Sequence, residues 1–186
     1  MTPRQRAVAA LRGGVPDDQC PFFELGFYLT GDLLCSDFPT LEEQRRASPA
    51  ERERLRQRAL ELTVSVAEHY QHSVICYWGP IPRLDFDDDL WYVSALRRAV
   101  GDRFLIAASA DGTFAIPDGQ NMEAMSALFM ERPAEAHGEA ARRLRDAIER
   151  VRRLVDAGVD LILMDSDYCF NAYRYPQVPE TPDVGS

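Results

Sequence analysis

Apolar residues recur at intervals of three and four over several stretches of the chain, alternating with short unbroken apolar runs. Such intervals place one side of a helix toward a core. The pattern predicts a short helix over 3–12, with Thr2 as cap and Pro3 in its first turn, stopped by Gly13-Gly14. A long helix is expected from about 50 to 70, capped by Ser48, with Leu55, Ala59, Leu62, Val66 and Tyr70 on its buried side. Further helices are expected at 89–99 (Leu90, Val93, Leu96), near 121–131, and from Pro133 to about 157. The last of these puts Ala136, Ala140, Leu144, Ile148, Val151 and Val155 on one side. Between them, Ser73–Trp78, Phe104–Ala108 and Val159–Met164 read as strands, and Pro21–Leu25 as a further brief extended run. A continuous apolar strand suits a sheet covered on both faces, as parallel sheets are.

Strand and helix in alternation make an α/β fold. Periodicity alone fits a barrel and an open sheet equally well. From Asn171 onward the pattern stops, and prolines stand at 176, 179 and 182. A last strand followed by a polar loop with no helix reads as an incomplete unit, so a truncated domain is expected.

Composition narrows the class. With 46% hydrophobic and 27% charged residues in 186, the chain has the balance of an ordinary folded domain. No apolar run approaches the roughly 20 residues of a membrane helix, and the start lacks a signal-peptide pattern, so a cytoplasmic, non-membrane protein is expected. The formal charge of −9 argues against a nucleic-acid partner, which requires a concentrated basic footprint. Cys20, Cys35, Cys76 and Cys169 have no metal-ligand spacing, and His69, His72 and His137 have no local third ligand, so no metal site is expected. There is neither a P-loop nor a GxGxxG stretch, and nothing supports a nucleotide enzyme. The run Asp85–Asp89 lacks a calcium-loop pattern and reads as a helix cap supplied by Asp87 or Asp88.

In parallel α/β folds ligands meet the C-terminal ends of the strands. That rule selects Glu24 after the Pro21–Leu25 run, Trp78 after the next strand, Asp111 after the third, and Asp165, Asp167, Tyr168, Asn171 and Arg174 after the fourth. Asp165 and Asp167 stand two apart and suit proton transfer or orientation of a ligand; equally, either caps a turn. Glu24 within an apolar run is costly to bury unpaired, so it faces a site mouth or an arginine. Trp78 suits a pocket wall or plain core packing, Asp111-Gly112 a turn or a ligand contact, and Arg174 an anion clamp or an exposed loop.

Three segments carry a resemblance. Thr2–Arg6 through Ala9–Gly13 and Pro16-Asp17 to Pro21 is similar to the start of uroporphyrinogen decarboxylase-like proteins. So are Ala108–Phe114 with the following Glu131-Arg132-Pro133, and Asp156–Ile162 leading into Asp165–Tyr168. The resemblance implies a partial (β/α)8 TIM barrel, roughly its first four β/α units with an N-terminal helix. It would span 1–175, with 176–186 a proline-rich tail marking a truncation or added residues. In this superfamily the resemblance implies either a cofactor-independent decarboxylase of carboxylated tetrapyrroles or a methyltransferase acting with a corrinoid and zinc. The arginine-bearing Met-Arg-Gln-Ala-Gly-Arg stretch of the decarboxylase is replaced here by Phe23–Tyr28. Its Phe-Ser-Asp segment is replaced by Tyr77–Pro80. A methyltransferase-like parent is therefore the expectation. Asp167, Tyr168 and Asn171 match a pocket-lining strand-end segment, the zinc ligands lie beyond the matched segments, and the chain is inactive alone. The alternatives are a decarboxylase or a non-catalytic assembly protein. Exposed sheet edges would make the chain a homo-oligomer.

Overall fold

The computed structural model describes residues 1–77, 84–115, 117 and 119–164. Helix α1 (Pro3–Leu11) starts at Thr2, whose hydroxyl accepts from the Gln5 amide while the Gln5 side chain accepts from the Thr2 amide. This reciprocal capping satisfies two otherwise orphaned donors. Two short helices follow, α2 (Thr30–Leu34) and α3 (Leu41–Arg46), and then the long α4 (Pro49–His69). Ser48 and Glu51 repeat the same capping box at the start of α4, with Pro49 in the first turn. Strand β1 (Val74–Tyr77) leads to α5 (Phe86–Val100) and β2 (Leu105–Ser109). Helices α6 (Met122–Glu131) and α7 (Pro133–Ala157) then precede β3 (Leu161–Leu163).

The strands form one sheet in the order β1-β2-β3, all parallel, with Val74 opposite Leu105 and Ala107 opposite Leu161. Because side chains alternate across a strand, the sheet sorts its residues into two cores. Ile75, Tyr77, Ile106 and Ala108 point toward a layer made by α4, α5 and α7, where they meet Leu60, Val93, Leu96 and Leu154. Val74, Cys76, Leu105 and Ala107 point the other way and pack with Ala7 of α1. Leu96 and Ile106 are fully buried; each such side chain contributes about 1.5–3 kcal/mol relative to exposure.

The edge of the sheet where the strands begin is tied by charge. Both Oδ atoms of Asp160 accept from Arg4 at 2.9 and 2.8 Å, and Asp160 also accepts from the Ile106 amide at 2.9 Å and from Arg97. Burial pushes the Asp160 carboxyl up, but these donors outweigh it and hold it below the ordinary range. On α1, the buried Arg6 grips Asp18 at 2.8 and 3.0 Å. One carboxylate therefore joins α1, α5, β2 and the entry to β3.

Three expectations fail. The chain is not a partial (β/α)8 barrel of four β/α units: among the described residues the sheet has three strands. Residues 21–25, expected as a first strand, form none and contribute one bond toward β1, from the Ser73 amide to the Phe22 carbonyl at 2.7 Å. Pro21 has no amide to give a ladder, and a strand covered on both faces would have to desolvate Glu24. Phe22, Phe23, Glu24 and Leu25 instead stay exposed. The cap of α5 is also different: it is Asp85, which accepts from the Asp88 amide at 2.9 Å, while Asp88 and Asp89 turn inward. Among the described residues, no helix is long and apolar enough to cross a membrane.

Candidate functional site

Register aligns the strand ends. Tyr77 stands opposite Ala108, and Ser109 opposite Leu163, so the three C-terminal ends open along one rim. Of the residues expected there, Trp78, Asp165, Asp167, Tyr168, Asn171 and Arg174 lie outside the described residues. Asp111 is described and exposed. Its two carboxylate oxygens accept from the Thr113 amide and hydroxyl, each at 2.8 Å, which is the local turn that Asp-Gly favours. Arg143 of α7 then donates to the Thr113 carbonyl at 3.1 Å and lies over the Phe114 ring. This fixes the loop against the helix layer.

Glu24 is not at that rim with Asp111. It lines a half-open cleft of about 40 Å³ between residues 24–27, α4 and β1, with Phe27, Phe38, Val66, His72 and Ile75. His72 is the feature of this cleft that its spacing does not announce. It is 5% exposed, and its Nε2 has no hydrogen-bond partner among the described residues. The imidazole meets Phe22 edge-on at 5.0 Å between centroids and stacks on Tyr70 at 6.1 Å. Burial pushes its pKa below the ordinary histidine value, with the Glu24 carboxylate pulling the other way. The imidazole is thus a buried ring in the cleft wall, held toward its neutral form, with its unpartnered nitrogen closed off from solvent.

A second polar cluster lies inside the helix layer. Tyr77 Oη donates to Asp89 Oδ1 at 2.9 Å, and Arg150 pairs with the other oxygen of Asp89. Arg56 pairs with Asp88, and Asp88 also accepts from the Leu84 amide at 2.7 Å. Nearby, the Thr63 and Tyr92 hydroxyls share a 2.6 Å bond, and Tyr92 is held fully protonated by burial. The sequence suggested a helix cap at Asp87 or Asp88. Spacing was the available signal: 89, 92, 93 and 96 fall on one helical side with the buried apolar residues. Arginines from α4 and α7 occupy these carboxylates, so the cluster joins helices rather than offering a reacting group. Beside it, Gln44 Oε1 and Arg56 Nε lack partners among the described residues and line a void of about 10 Å³. That is room for one water bridging acceptor and donor.

Among the described residues the thiols do not gather, and Cys169 lies outside them. Cys20 and Cys35 are exposed, and Cys76 is buried in the sheet. Among the described residues no three His, Cys, Asp or Glu side chains come close enough to hold a metal ion, so these residues do not fit the zinc of the methyltransferase branch. No family model, no curated protein and no solved structure matches this chain.

Proposed function

We propose that the chain supplies one side of a small-molecule site in a protein of the uroporphyrinogen decarboxylase-like kind, whose parent reaction is methyl transfer with a corrinoid and zinc. The chain alone does not turn over. The observation that supports this reading is the alignment of three parallel strand ends at one rim, with α1 on one sheet face and α4, α5 and α7 on the other. The resemblance puts a pocket-lining segment after such a strand end, at Asp167, Tyr168 and Asn171. No zinc-dependent step is assigned to the described residues.

The test is ligand choice. The chain is titrated with hydroxocobalamin and, separately, with uroporphyrin, following the visible spectrum of each. Corrinoid binding without tetrapyrrole binding is expected. Saturable uroporphyrin binding with no corrinoid binding would favour the decarboxylase alternative and sink the proposal.

A non-catalytic assembly role is the second reading, and a specific observation favours it. Leu144, Ile148 and Val155 of α7 are 58%, 42% and 51% exposed, and Met164 just after β3 is 72% exposed. An apolar flank beside an edge strand is a surface that chains cover with another copy. A homo-oligomer is proposed on that basis. Sedimentation that shows a monomer across the accessible concentration range would remove this reading.

A further inference from the structure

Two unsatisfied features of the chain lie side by side. The first is the outer edge of β3, the last strand in the order β1-β2-β3. The Leu163 carbonyl accepts from the Ala110 amide at 3.2 Å, so Leu163 bonds toward β2. Neighbouring residues of a strand aim their amide and carbonyl at opposite edges, so those of Ile162 face outward. Among the described residues no strand pairs with that edge. Leu161, Ile162 and Leu163 offer neither proline nor charge, the usual means of blunting an edge.

The second feature is the free flank of α7. Arg150 and Arg153 reach Asp89 and Asp87 of α5, which marks the flank that faces α5. By the helical period, Leu144, Ile148 and Val155 fall on the opposite flank, and all three are exposed. Helix α5 links β1 to β2, and α7 links β2 to β3. A flank of α7 turned away from α5 therefore overhangs the outer edge of β3.

We propose that these two features form one interface with a second copy of this chain, β3 pairing antiparallel with its β3 while α7 packs on its α7. This rests on the assembly reading above and names its interface. A single two-fold axis normal to the sheet does both. It joins the two three-stranded sheets edge to edge and keeps both helix layers on one side. A strand rises about 3.3 Å per residue and a helix about 1.5 Å, so an axis through Ile162 passes α7 near about residue 150. An antiparallel α7 pair centred there lays Leu144 beside Val155 of the second copy and Ile148 beside its Val151. The charges at the rim are complementary, since Arg145 comes toward Asp156 of the second copy and Arg152 toward its Glu149. Within one chain Arg152 meets Glu149 only at 3.9 Å, with 73% and 66% of the two side chains exposed. Pairing across the seam displaces little. The strand-end rims of the two copies open at opposite ends of the joined sheet, so each copy keeps its own.

Sedimentation equilibrium of the whole chain is combined with hydrogen exchange of the Ile162 amide, followed by NMR over a range of protein concentrations. A dimer is expected, with Ile162 exchange slowing as the dimer fills. Because Arg152 and Glu149 are exposed, R152E keeps the fold and is expected to weaken the dimer about tenfold, and R152E/E149R to restore it. A monomer at every concentration would sink the assembly reading and this interface together. Three results would overturn this interface and leave the assembly reading standing. They are a dimer whose Ile162 amide exchanges at one rate across concentration, a dimer indifferent to R152E, and a loss in R152E that R152E/E149R does not recover.

Discussion

Helices α5 and α7 carry apolar stripes of the same period, and the fold treats them differently. On α5, Tyr92, Val93, Leu96 and Val100 are all buried, because the helix lies between α4 and α7 over the sheet. On α7, Leu154 is 1% exposed and Val151 packs on the core, yet Leu144, Ile148 and Val155 face outward. The period of a stripe reports which side of a helix is apolar. It does not report whether anything covers that side. Charges follow the same division. Asp88 and Asp89 of α5 turn inward to arginines of its neighbours, while Glu139, Asp146 and Glu149 of α7 pair with arginines of their own helix at the surface.

The largest effect is expected where α5 is most committed. Asp89→Ala leaves Arg150 and the Tyr77 hydroxyl without the carboxylate they share. Breaking a buried pair by removing one member costs about 3–5 kcal/mol. Asp146→Ala, on the outward side of α7, is expected to change stability by no more than about 0.5 kcal/mol. Urea unfolding of both variants checks the contrast. Equal costs would mean that the α5 acids are not buried in solution.

Next comes a matched pair of leucines. Leu96→Ala opens a fully buried site, and about 2–5 kcal/mol is expected for its loss. Leu144→Ala, at 58% exposure, is expected to cost under about 0.5 kcal/mol in a monomer. A large cost at Leu144 that grows with protein concentration would show that a second copy covers the α7 stripe, and would support the proposed oligomer.

The two stripes also show what could be read from the residues beforehand. Elements whose ends carry local chemistry were legible. Thr2 and Ser48 cap as their side chains allow, Pro133 opens α7, and Gly158 closes it in the left-handed region at φ 115°. What depends on distant parts of the chain was not. Residues 21–25 look strand-like alone, but Pro21 and Glu24 deny them a ladder and a double burial. Asp88 looks like a cap until an arginine 32 residues away meets it, and Asp89 meets one 61 residues away. Leu144 and Ile148 look like core until the packing proves to leave them exposed. At the candidate site, Glu24 and Asp111 were selected by their position beside apolar runs, and the structure separates them. His72 carried no motif. Its significance comes from the burial that Phe22, Tyr70 and α4 impose, which no spacing encodes.

A smaller effect is expected where α5 and α7 do meet firmly. Arg97 of α5 donates to the Gly158 carbonyl at 3.1 and 2.8 Å, and a Cβ at Gly158 would stand 3.0 Å from Arg97 Cγ. Gly158→Ala adds that contact to a left-handed backbone that only glycine adopts freely. A loss of about 1–2 kcal/mol is expected by thermal or urea unfolding. A neutral result would mean that the end of α7 is free to shift, and the contrast between its docked end and its open stripe would weaken.

The smallest effect lies on the polar side of the same contrast. The α5 acids have charged partners, whereas His72 is buried with its Nε2 unpartnered among the described residues. Burial lowers its pKa in the folded chain, while the unfolded chain keeps a histidine near the ordinary value of about 6.5. Above that pH both states hold the ring neutral, and this group adds no pH dependence. As the pH falls below about 6.5, the unfolded state takes up a proton that the folded state refuses, so stability declines. The decline continues until the pH passes the folded-state pKa. Its slope is at most about 1.4 kcal/mol per pH unit. His137 is exposed, and its replacement serves as the control. Urea midpoints measured across this window should flatten in His72→Asn and stay sloped in His137→Asn. If His72→Asn keeps the full slope, the imidazole is not withheld from protonation, and the burial contrast with the α5 acids fails.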